Sequence, residues 1–136
     1  NLSGFTSSTS PAVSSFLINK SGSLENGDGA INADQDTKIY IYFSEAMDNS
    51  SITINTSDTS CSGTIQLSLD SFSSCVQISS YTSWNNLKNF YFVPSSNLTS
   101  GNTYKVRVTT GVKDGSGNSM SANYPPNTGT GFTVRK

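Results

Sequence analysis

Histidine is absent from the 136 residues. That removes a histidine general base, a Ser-His-Asp triad and the commonest zinc ligand together. Cysteine is almost as scarce: Cys61 and Cys75 are the two present, too few for a Cys-His zinc site. They read as a disulfide, because the polar, low-charge composition suits an exported protein; the alternative is a pair of buried thiols. Charged residues make up 12% of the chain and the net charge is -1, so no basic field exists to attract nucleic acid or anionic lipid. No apolar run approaches the roughly 18 residues needed to cross a bilayer. Asn1 to Ser10 lacks the positive start and apolar centre of a signal peptide. Closed by Pro11, this stretch (residues 1–10) reads as a linker leading into a single domain over 11–136.

What fills the chain instead is hydroxyl and amide: 27 Ser, 15 Thr and 14 Asn. Disordered chains share that bias but lack aromatics, and here there are seven Phe, six Tyr and one Trp. The combination suits strand faces and the turns between strands. Helical period is nowhere evident, whereas period-two alternation recurs. The clearest case is Lys38 to Phe43, with Ile39, Ile41 and Phe43 on one face and Tyr40 and Tyr42 on the other. Further strands are predicted at Val13–Ile18, Ser51–Asn55, Thr64–Leu69, Val76–Ser79, Lys88–Val93, Asn102–Thr109 and Gly131–Val134, with a loop over Asn19–Asp36. Seven to nine short antiparallel strands separated by turn residues predict an all-β fold, an immunoglobulin-like Greek-key β-sandwich.

One local pattern sharpens this. Leu98-Thr99-Ser100-Gly101-Asn102-Thr103-Tyr104 places a leucine, a glycine turn and then a tyrosine at the start of a strand. Leu98 and Tyr104 thus fit a tyrosine corner, in which a buried phenol bonds back to upstream backbone; the plainer reading is a core aromatic.

Three segments carry a resemblance to a known family. Ile39 to Asp48 (IYIYFSEAMD) is similar to an early strand ending in Phe-Ser-Glu-Pro-Met-Asp, with Ala46 standing at the proline. Phe92-Val93-Pro94 followed by Leu98, Gly101 and Tyr104 is similar to its middle strand and corner. Val112 to Asn118 matches a late loop of the form Asp-x-x-Gly-Asn. In order, these resemble the bacterial Ig-like domain of the surface-layer-protein type. The resemblance implies a non-catalytic module, a spacer or adhesive domain of a bacterial cell-surface or secreted protein, without a cofactor. It implies an extracellular or cell-surface location. It also implies partners among other domains of the same chain, a host or cell-surface protein, or a glycan, with no nucleic acid and no membrane insertion. Similar modules occur in secreted enzymes and spirochaete surface lipoproteins, so a carbohydrate-binding module and an accessory domain of a secreted hydrolase stand as alternatives.

Other motifs fare less well against their ordinary explanations. Asn26 to Asn32 superficially copies an EF-type calcium loop, but Leu24 and Gln35 fall where the first and twelfth ligands belong. A looser calcium site would draw on Asp28, Asp34, Asp36 or Asp114. Nothing sets two carboxylates at a glycosidase separation; Glu45 and Asp48 read as corner residues capping backbone amides. Asn-x-Ser/Thr triplets at Asn1, Asn19, Asn49, Asn55 and Asn97 are expected by chance in this composition. Trp84, in a predicted polar loop Ser79 to Asn89, reads ordinarily as a plug between sheets and functionally as an exposed stacking surface. In an Ig-like sandwich the strands at Lys38–Phe43 and Lys88–Val93 pair in one sheet. Alternation then sends Tyr40, Tyr42 and Tyr91 to its outer face, where they either cover their own sheet or form, with Trp84, an interaction surface.

Overall fold

The structure is a computed structural model that describes residues 10–125 and 131–136. The opening stretch read as a linker lies, up to residue 9, outside the described residues, as does the Asn1 triplet. Strand β1 runs Val13–Lys20, β2 Ser23–Asn26, β3 Ile39–Phe43, β4 Ile65–Ser68, β5 Ile78–Trp84, β6 Asn89–Pro94, β7 Thr103–Val108 and β8 Phe132–Thr133. A single 3-10 turn at Asn49–Ser51 is the one helical element among the described residues.

Two antiparallel sheets form, in the orders β2-β1-β3-β6-β5 and β4-β7-β8. With the small edge strand β2 set aside, β1-β3-β6-β5 facing β4-β7-β8 reproduces the four-plus-three arrangement of the immunoglobulin fold. The inner faces meet through the alternating residues: Phe16, Ile18, Ile39, Ile41, Phe43, Phe90 and Phe92 from the large sheet, and Ile65, Leu67, Tyr104, Val106, Val108 and Phe132 from the small one, all buried. Aromatic edges lock the layer. Phe43 meets Phe90 edge-on at 5.7 Å, Phe16 meets Phe132 at 6.1 Å, and Tyr104 stacks on Phe132 at 5.9 Å.

Register along β1 fixes the long axis of the sandwich. Val13 pairs with Phe43 at one end, which we call the base. At the other end the Ser21-Gly22 turn delivers two amides to the Asp34 carboxylate, which also pairs with Arg135. The chain therefore enters at the base and leaves at the opposite end, with the eight residues of β1 spanning about 25 Å between them.

Three sequence-based assignments change. Asn19–Asp36 is not all loop. Ser21 and Gly22 both take positive φ, 51° and 81°, which closes a two-residue hairpin and makes Ser23–Asn26 an edge strand. Ser51–Asn55 is not a strand. Asp48 accepts the Ser50 amide at 3.0 Å and starts the 3-10 turn, and Ile52 is then buried by an irregular segment crossing between the sheets. Finally, the polar stretch after Ser79 is not a loop. Its Tyr, Thr and Trp suit a half-exposed edge strand, and β5 pairs with β6 from Ile78↔Pro94 to Trp84↔Asn89.

Candidate functional site

Sheet register builds the site. In β3, Ile39, Ile41 and Phe43 are buried and Tyr40 and Tyr42 point the other way. Tyr40 lies directly opposite Tyr91 of β6, and Tyr42 lies opposite Asn89. Asn89 in turn faces Trp84 of β5. Period two across three strands thus delivers four rings to one patch on the outer face of the large sheet.

Their geometry is that of one cluster. Tyr40 and Tyr91 centroids are 5.6 Å apart, and Trp84 lies 5.9 Å from Tyr91, 5.7 Å from Tyr42 and 6.4 Å from Tyr40. Trp84 stands nearly perpendicular to Tyr42 and Tyr40, at 88° and 82°. Lys38 places its ammonium 5.8 Å from the Tyr91 centroid. Packing pushes the Tyr42 hydroxyl above its ordinary pKa, through burial first and the neighbouring Tyr40 second. Trp84 is 38% exposed, so it is no plug between the sheets. The correction follows from β5: as an edge strand it alternates Tyr81 inward against Phe90 and Phe92, which leaves Trp84 facing out.

The same register assigns the surroundings. Ser15 pairs with Tyr42 and Leu17 with Tyr40 on β1, and Thr82 pairs with Tyr91 on β5. The outer face is therefore aromatic at its centre, flanked by the hydroxyls of Ser15 and Thr82, the amide of Asn89 and the apolar Leu17, with Lys38 beside the rings.

The outer face of the small sheet is different. There the segment after β4 folds back: Arg107 stacks over the Phe72 ring at 4.1 Å and bonds the Gln66 amide oxygen at 2.8 Å. Gln66 is buried and donates to the carbonyls of Cys61 and Gly63. Cys61 and Cys75 are joined in a disulfide, and the returning chain docks through the Val76 amide on Leu67. The Ser74 hydroxyl and amide, and then the Ser68 hydroxyl, bond the Asp70 carboxylate and hold its pKa down to about 2. One sheet face is thus covered by its own chain.

The remaining sequence candidates resolve into structural roles. Tyr104 is buried and its hydroxyl accepts the Thr99 amide at 2.9 Å, while Leu98 is buried beside it in the core cluster. Asp114 is buried and accepts the amides of Ser116 and Asn118 at 2.9 and 2.8 Å. Burial pulls its pKa up, but these bonds and those from the Asn118 side chain and Glu45 hold it below the ordinary value. The early corner and the late loop meet: Met47 bridges Asp114, Gly115 donates to Ala46 and Asp48 donates to Lys113. That pairing is a physical reason for the two motifs to occur together. The structure does not assemble the looser calcium set. Asp34 serves the Ser21 and Gly22 amides, Asp28 accepts the Gly131 amide, and among the described residues no three acidic or thiol groups gather. Sequence reasoning missed the hairpin at Ser21-Gly22, for which the Ser-Gly dipeptide was the signal, and of β5 it placed only the start, ending its strand Val76–Ser79 five residues before Trp84.

A family model described as a bacterial Ig-like domain matches residues 21–134. No curated protein matches the chain. Among solved structures, the N-terminal part of the bacterial S-layer protein SbsC is similar, with a TM-score of 0.57 at 16% identity over 94% of this chain. SbsC domains 1–6 are similar at a TM-score of 0.57 over 95%. At that identity the likeness speaks for the fold. The chain spans 24% of the first of these structures and 14% of the second.

Proposed function

The chain belongs to the bacterial Ig-like domain family, and from that premise we propose that it acts as a non-catalytic module of a longer bacterial cell-surface protein, serving as a spacer. The observation that carries this reading is the path of the backbone. It enters at the base beside Val13 and Phe43 and leaves beside Asp34 and Arg135 at the far end. A domain so connected adds its full length to a chain of domains, where one with adjacent ends would add a side branch.

The arrangement of the polar groups supports a role without catalysis. The carboxylates of Asp28, Asp34, Asp70 and Asp114 hold backbone amides or neighbouring side chains in place. A groove beside the entry point is lined by Pro11, Val13, Met120, Ala122 and Tyr124, with no carboxylate among the described residues that line it. A cell-surface location agrees with the disulfide, which persists in oxidising compartments. The S-layer likeness adds a precedent for this fold within much longer surface proteins.

The test is small-angle scattering from two copies of the full chain fused head to tail. The maximum dimension should approach twice that of one copy. A fusion little longer than a single copy would overturn the spacer reading.

A further inference from the structure

We propose that the outer face of the large sheet is a binding platform for a neutral polysaccharide, with Trp84, Tyr91, Tyr40 and Tyr42 as its floor. This goes beyond the spacer reading and does not depend on it.

Four observations point to this ligand class. The rings are contiguous, with centroids 5.6 to 6.4 Å apart across three strands, on the scale of a single sugar ring. Their faces carry negative quadrupole potential, complementary to the weakly positive C–H face of a pyranose. Around them Ser15, Thr82 and Asn89 supply donors and acceptors suited to sugar hydroxyls, and Leu17 adds apolar surface. Charge is the deciding feature. Among the described residues the one cation against these rings is Lys38, over Tyr91, so there a polyanion finds a single complement and a polycation none. A protein partner would meet the floor with anchors but would lack charged rim pairs to set its orientation. The opposite sheet has its outer face closed by Phe72, Arg107 and Gln66. The aromatic paving thus coincides with the face that the chain's disulfide-clamped segment does not cover.

Trp84 is the single tryptophan in the chain, so its fluorescence reports this platform directly. The full chain is titrated with hydroxyethylcellulose, glucomannan, arabinoxylan and β-1,3-glucan, with alginate as the charged comparator. A saturable change in emission with at least one neutral polymer, and none with alginate, is the expected result. In native gels containing the same polymer the chain should be retarded, and Trp84→Ala should lose affinity by about tenfold or more, as a central anchor does. Tyr40→Thr, on the solvent side of its strand, provides a second variant, and each is checked by its melting curve. No response to any of the neutral polymers overturns the proposal. So does retardation unchanged in folded Trp84→Ala, which places binding elsewhere, or concentration-dependent dimerisation abolished by that variant, which makes the face a protein interface. None of these outcomes alters the length of the head-to-tail fusion, so the spacer reading stands or falls separately.

Discussion

Tyr104 joins core packing within the small sheet to one polar obligation. Its ring stacks on Phe132 while its hydroxyl accepts the Thr99 amide at 2.9 Å. Tyr104→Phe keeps the ring and leaves that amide without its acceptor, so it should cost about 1 to 2 kcal/mol in urea unfolding; melting with the parent would show that water replaces the phenol. Gly131 is a second residue where local geometry leaves no latitude. Its φ is 76°, and a Cβ there would stand 2.3 Å from the Tyr104 carbonyl oxygen. Gly131→Ala should therefore destabilise through a backbone clash in addition to left-handed strain, a combined loss of about 2 kcal/mol or more in the same assay. Both residues lie where the small sheet closes, and both are legible in sequence only through their neighbours: Leu98 and Gly101 for the first, Phe132 for the second.

At the level of elements, the strands with alternating apolar residues were readable and those without were not. β3, β6 and β7 each bury every second side chain, and period two places them to within a residue. β2 is fully exposed and β5 largely so, and neither needs apolar alternation because each sits at a sheet edge. Ile52 and Ile54 mislead in the opposite direction: burial every second residue does not require a ladder when a capped turn and hydroxyl bonds such as Thr53 to Thr64 satisfy the backbone. β4 is short, and its flanks are tied by the disulfide across a sequence separation of 14. Replacing both cysteines by serine should lower stability by about 3 kcal/mol through the freed loop of the unfolded chain. Guanidinium unfolding of the double variant checks this, and equal midpoints would assign β4's integrity to the Gln66 and Arg107 contacts instead.

For the molecule as a whole, fold class and the pairing of the two tyrosine strands follow from pattern, because a sandwich leaves alternating residues only two directions. How Trp84 reaches that face did not follow, since it arrives on β5, a strand without a hydrophobic signature. Topology also carries a consequence at the exit end. Residues 29–33 run parallel to the last strand, bonded through Gly29 to Gly131, Thr133 to Ala30, Ala33 to Thr133 and Arg135 to Ala33 at 2.6, 2.9, 3.0 and 2.8 Å. Tension applied between the two ends of the chain pulls these parallel segments past each other along their length. The four bonds then bear load together in shear instead of parting one at a time, and the ladder of β1 with β3 is loaded the same way. Stretched through residues 10 and 136, the domain should yield in one abrupt event. Stretched through Gly22 and Lys136, which share one end, it should peel open at distinctly lower force, whereas equal forces in the two geometries would show that this clamp carries no load.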